Sequence, residues 1–145
     1  MAKKINFFVE DVEFTLKNKQ NIRTWIFDTI QAYQCKAGEI NYIFCSDEYL
    51  RKVNIEYLQH DYYTDIITFD SSEEEGLIAG DMYISTERVA DNAEQLATTF
   101  EQELYRVLIH GILHLIGYAD DTDENEAEMR ALENKALQNL TSNKS

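Results

Sequence analysis

The 145-residue chain has no proline, two cysteines, three histidines and one tryptophan, and its 13 basic residues are outnumbered by 27 acidic ones. With no proline, no internal repeat and no linker-like stretch, residues 1–145 are predicted to form a single domain. A chain of this length can bury about 68–70% of the surface that its unfolded form exposes, enough for a real core. Its hydrophobic content of 44% is that of a globular protein rather than a disordered one. Cys35 and Cys45 form no Cys-x-x-Cys pair, so free thiols are expected rather than a disulfide or a metal clip. No run approaches the ~20 apolar residues of a membrane span. The start, Met1 to Asn6, does not resemble a signal peptide. These two absences predict a cytoplasmic protein without a membrane partner. The net charge of −14 counts against broad nucleic-acid binding, because phosphate contacts need basic patches. Lys17, Lys19, Arg23, Arg51 and Lys52 are the residues from which such a patch would be built.

The pattern of apolar residues divides the chain into strands and helices. Ile5 to Val9 is β-prone. Ile22, Trp25, Ile26, Ile30 and Tyr33 recur at helical spacing, and Gly38 is expected to end that region. Glu39 to Cys45 alternates as a strand. Ser46 or Asp47 can cap a helix running to about Tyr57. Thr64 to Asp70 and Leu77 to Ile84 read as strands flanking the polar turn Ser71 to Gly76. Ser85 caps a helix to about Leu96, Thr98 and Glu101 fit a capping box, and Asp123 and Glu126 fit another. The last helix carries Ala127, Met129, Leu132, Ala136 and Leu140 on one side. The order β-α-β-α-β-β-α-α-α predicts an α/β (or α+β) domain: a small four-stranded mixed sheet packed with about five helices.

The most informative stretch is His110-Gly-Ile-Leu-His114-Leu-Ile-Gly117-Tyr-Ala-Asp120, which holds two of the three histidines. Positions i and i+4 share one helix face, so His110 and His114 can grip one divalent ion. Gly117 can end the helix and turn the chain so that a third ligand swings back. Metzincin proteases use this spacing. Asp120 stands in the third position, with Asp121 a competing candidate. Three protein ligands leave a position open for water, as in catalytic zinc sites. The stretch is therefore a zincin-like metal helix with the candidate ligands His110, His114 and Asp120. Zn2+ is the expected ion, and another divalent metal would also fit. Zincin proteases carry a glutamate general base just after the first histidine. Here Gly111 takes that place, which disfavours a peptidase. The alternative is that both histidines are hydrogen-bonded core residues of a buried, largely apolar helix.

From these residues the chain resembles the YbeY family of metal-dependent endoribonucleases that mature bacterial rRNA. His110 to Tyr118 match that family's His-Gly-x-Leu-His-Leu-x-Gly-Tyr signature. Thr64-Asp-Ile-Ile-Thr-Phe69, Gly80-Asp-Met-Tyr-Ile-Ser85 and Glu126-Ala-Glu-Met129 with Glu133 match three further blocks in the same order. The resemblance implies a single-strand-specific endoribonuclease acting at the 16S rRNA 3′ end and in ribosome quality control. It also implies rRNA or ribosomal particles as partners, with a ribosomal protein or GTPase as a further partner, and no role for DNA. The alternative is a non-enzymatic ribosome assembly factor with a structural metal.

Two departures stand out. Asp120 replaces the usual third histidine, and Leu58 stands where relatives tend to carry an arginine after the Asn54-Ile-Glu-Tyr57 stretch. The catalytic residues are otherwise unknown from sequence; Arg106, one turn before His110, and His60 are candidates for the vacant phosphate-handling role. Asp65 and Asp81 are weighed as carboxylates that orient a metal-bound histidine or, more simply, as caps for local backbone.

Overall fold

A computed structural model describes residues 4–144 of the chain, with side chains described through residue 140. Nine elements follow in the order β1 (Ile5–Val9), α1 (Lys19–Ala32), β2 (Lys36–Cys45), α2 (Asp47–Leu58), β3 (Ile66–Asp70), β4 (Leu77–Ser85), α3 (Thr86–Gln95), α4 (Phe100–Ile116) and α5 (Asp123–Lys144). The strands form one mixed sheet in the order β1-β2-β4-β3. β1, β2 and β4 run parallel, and β3 pairs antiparallel with β4. This is the four-strand, five-helix α/β arrangement expected from the pattern of elements.

Alternation along the strands decides which side chains meet the helices. Ile40, Tyr42 and Phe44 of β2, Met82 and Ile84 of β4 and Ile5 of β1 join Ile22, Trp25 and Ile26 of α1 and Leu108, Ile109 and Ile112 of α4 in the main core. The other sheet face supplies Cys45 and Ile67, which pack with Leu50 and Val53 of α2. Helix α4 is buried along most of its length from Glu103 to Leu113. Two hydrogen bonds tie the layers together: Tyr42 donates to the Leu108 carbonyl at 2.9 Å, and Trp25 Nε1 donates to the Ala136 carbonyl at 2.8 Å.

Gly111 explains how closely α4 lies on the sheet. A Cβ added there would come 2.3 Å from Met82 Sδ and 3.0 Å from Ile66 Cδ1. The position that carries glutamate in zincin proteases here faces β4 and β3, with no room for a side chain.

Several boundaries differ from the sequence reading. Gly38 does not end the first helical region; α1 stops at Ala32, Gln34 takes a positive φ of 61°, and Gly38 lies inside β2. Its place is fixed by a register shift between Ala37 and Ile40, where β4 approaches within 3.1 Å of the position a Cβ would occupy. Thr99, not Thr98, caps α4 by accepting from Gln102 N–H. Thr122 caps α5, accepting from Asn125 N–H at 3.0 Å, so the helix begins at Asp123 rather than being capped by it. In α5, Ala127 is exposed and Leu132 only half-buried; the buried positions are Met129, Glu133, Ala136 and Leu140. Ser46 and Ser85 cap α2 and α3 as expected. Among the described residues no helix is long and apolar enough to cross a membrane. Cys45 is a buried free thiol, pushed up to about 12 chiefly by burial, and Cys35 is a half-buried one.

Candidate active site

Helix α4 carries His110 and His114 and ends at Gly117, whose φ of 129° strongly favours glycine. The Gly117 N–H bonds back to the Leu113 and His114 carbonyls, closing the helix and reversing the chain. The reversal brings Asp120 back over the helix, with its Oδ2 3.3 Å from His110 Nε2. Two of the three expected ligands therefore converge. His114 lies one turn further along and is exposed, and its imidazole has no hydrogen-bond partner among the described residues. Asp121 faces elsewhere, accepting from Asn125 Nδ2 at 2.8 Å.

The other side of His110 is held by a residue to which the sequence reading gave no role. Glu133 of α5 places Oε2 2.7 Å from His110 Nδ1, while its Oε1 accepts from Arg106 at 2.9 Å. Glu133 is only 4% exposed. Burial opposes its charge, but the hydrogen bonds from His110 and Arg106 outweigh that and hold the carboxyl below its ordinary range. Burial likewise opposes a charged His110, yet Glu133, with Asp120 and Asp65, holds the imidazole above its ordinary value. A carboxylate on the apolar stripe of an amphipathic helix was the available signal for Glu133, and so was its place in the family pattern.

These groups line a cleft of about 260 Å³ between α4, α5 and the start of β3. Asp65, Glu103, Asp120, Glu126 and Glu133 contribute five carboxylates, against the guanidinium groups of Arg106 and Arg130. Burial pushes the Asp65 carboxyl up, against the pull of His110, and pushes Glu103 up as well. Asp65 thus belongs to the cleft. Asp81 does not: it accepts from Asn41 at 3.0 Å, and Asn41 accepts from Asn6 at 3.1 Å, making a polar ladder across β1, β2 and β4 on the opposite sheet face.

The two candidates for phosphate handling are both otherwise engaged. Arg106 is committed to Glu133 and to Asn134 Oδ1 at 2.8 Å. His60 is absent from the cleft lining; it stacks on Tyr62 with 5.3 Å between ring centroids. Asn54 donates to the Tyr62 carbonyl at 3.1 Å and so pins that loop, and Tyr118 packs edge-on against Tyr33. The basic residues of the expected patch stand in different settings. Arg23 donates to the Ile5 carbonyl and lies over Phe7, whereas Arg51 pairs with Glu48 and Asp61.

The donor types suit a divalent ion. The Glu133 bond occupies Nδ1 of His110 and leaves Nε2 directed at Asp120, the arrangement in which a second carboxylate fixes the tautomer of a ligating imidazole. As the side chains stand, no three His, Cys, Asp or Glu groups among the described residues are disposed to hold an ion together.

The sequence model of the family described as Endoribonuclease YbeY matches residues 4–141. The chain belongs to the YbeY family. Among curated YbeY relatives, the one from Cytophaga hutchinsonii is 50% identical over 133 residues, covering 92% of this chain and 93% of its own. The one from Amoebophilus asiaticus is 50% identical over 129 residues, covering 89% and 88%. A solution structure from Thermotoga maritima superposes with a TM-score of 0.68 at 28% identity, covering 96% of this chain and 90% of that one. The YbeY assignment agrees with the four sequence blocks, three of which bring residues into the cleft: Asp65, His110, and Glu126 with Glu133.

Proposed function

We propose that this YbeY-family chain is a metal-dependent endoribonuclease that cuts single-stranded RNA, with rRNA in ribosomal particles as its substrate and the 16S 3′ end and ribosome quality control as its setting. The supporting observation is the meeting of His110 Nε2 and Asp120 Oδ2 at 3.3 Å, backed by Glu133 on the far side of the imidazole. His110, His114 and Asp120 would hold the ion, Zn2+ or a similar divalent cation. When bound, it would supply Lewis-acid polarisation of a phosphoryl oxygen and a water acidified towards neutral pH.

The chain's own residues prepare that site. Glu133 holds the imidazole of His110 in one orientation and tautomer, and Arg106 holds Glu133. Gly117 turns the chain so that Asp120 returns. Asp65 and Glu103 sit in the same cleft with raised carboxyls, able to take or hold a proton near the reacting groups. Gly111, packed on Met82, leaves no place for the glutamate base of a peptidase.

The test is cleavage of a single-stranded RNA oligomer by zinc-loaded protein, with elemental analysis of the same samples. One zinc per chain and cleavage in the wild type, with both lost in Asp120→Ala and His110→Ala, supports the reading. Undiminished cleavage by metal-free variants would overturn it. The ends of the products distinguish hydrolysis from attack by the 2′-hydroxyl, because only the latter leaves a 2′,3′-cyclic phosphate.

A further inference from the structure

RNA entering this cleft meets five carboxylates, and a phosphodiester needs a positive group to offset them. Of the two guanidinium groups lining the cleft, Arg106 is already spent on Glu133 at 2.9 Å and Asn134 at 2.8 Å. Arg130 is not. It stands on α5 three residues before Glu133, is exposed, and makes no hydrogen bond or close ion pair among the described residues, although its charge acts on Glu103 in the same cleft. A guanidinium with its donors unengaged presents a planar set that matches phosphate oxygens.

Its position is a junction. A second groove, of about 950 Å³, shares Glu103, Arg106 and Arg130 with the cleft and runs on between α4 and α5 past Gln102, Asn134 and Gln138 to Leu96. Beyond Glu103 that groove is lined, among the described residues, by amides, two hydroxyls and apolar groups, with no further carboxylate. A strand leaving the reacting centre along it escapes the acidic cleft at the point where Arg130 stands.

We propose that Arg130 is the phosphate-binding residue of this enzyme, holding the RNA backbone next to the scissile bond where the strand passes from the cleft into the α4–α5 groove. The proposal rests on the endoribonuclease reading above. Arg130 acts on binding, so its loss raises KM and leaves kcat nearly unchanged.

The experiment measures kcat and KM for a single-stranded RNA oligomer with the zinc-loaded protein over a range of salt concentrations. Arg130→Ala and Arg130→Gln, which keeps the reach and drops the charge, are each expected to raise KM about tenfold, with kcat within about twofold. The slope of log(kcat/KM) against log salt falls in magnitude by about 0.7, one single-strand phosphate contact. Arg130→Lys recovers most of the loss. Lys135→Ala, which removes an equal charge from the same helix outside the groove, changes neither. Wild-type KM and salt slope in both neutral variants, with the wild type cleaving normally, would overturn the proposal and leave the endoribonuclease reading intact. Failure of the zinc-loaded wild type to bind or cleave RNA would overturn both.

Discussion

Glu133 Oε2 and His110 Nδ1 lie 2.7 Å apart, 23 residues distant in the chain, and this contact sets which nitrogen of the imidazole faces Asp120. A carboxylate of this kind behind a ligating histidine is worth about 10–100-fold in metal affinity. Glu133→Gln is therefore expected to weaken zinc binding by about that factor while the protein stays folded, as read by competition with a chelating dye. Glu133→Ala also leaves Arg106 without its carboxylate partner and should cost about 1–3 kcal/mol in urea unfolding. Zinc affinity unchanged in Glu133→Gln would show that the contact serves packing alone.

Glu103 supplies a pH-dependent prediction. Burial, with Asp65 nearby, holds its carboxyl above the ordinary value of 4.5 in the folded protein. A raised carboxyl pKa means that folding favours the protonated form, so the ionised group works against stability at neutral pH. Glu103→Gln should raise Tm near neutral pH, and the gain should shrink as pH falls through the folded-state value. It vanishes below about 4.5, where the carboxyl is neutral in both states. A Tm difference that is constant with pH would refute this account.

Gly111 predicts the cost of overpacking. Placing a methyl 2.3 Å from Met82 Sδ forces a fully buried side chain to move. Gly111→Ala is expected to destabilise by about 1–3 kcal/mol despite alanine's better helix propensity. The double change Gly111→Ala with Met82→Val should recover part of the loss, because the smaller side chain vacates the contact. Full stability in the single variant would mean that α4 can shift on the sheet without cost.

The two cysteines should differ in reactivity. Cys45 is fully buried, its thiol pushed up to about 12 mainly by burial, while Cys35 is half-buried. The thiolate is the reactive form. A thiol reagent at neutral pH should therefore label one cysteine in the native protein and both in denaturant. Rapid labelling of Cys45 in the native state would show that the α2 layer opens readily.

Much of the architecture was legible because it depends on neighbours in sequence. Alternation in Glu39 to Cys45 marked β2, the polar turn before Leu77 marked the antiparallel pair, and the serines at 46 and 85 marked two helix starts. The larger error came where a distant segment overrides local preference, and the smaller ones where an adjacent residue took a cap. Gly38 reads as a helix stop, yet it belongs to β2 because β4 packs closely against it. Thr98 and Asp123 fit capping patterns, but the neighbouring threonines, Thr99 and Thr122, accept the cap hydrogen bonds.

The candidate site divides along the same line. By itself the sequence determined a helix with imidazoles one turn apart, a glycine that stops it and an aspartate on the returning chain, because helical periodicity and positive φ act over a few residues. Only the tertiary structure decided that Glu133 holds His110, that Arg106 bonds Glu133 while the donors of Arg130 stay unengaged, and that Asp65 shares the cleft while Asp81 lies on the other face of the sheet. Those outcomes depend on how α5 packs against α4 and on which face of a strand meets the helices. Packing joins residues that no local spacing connects.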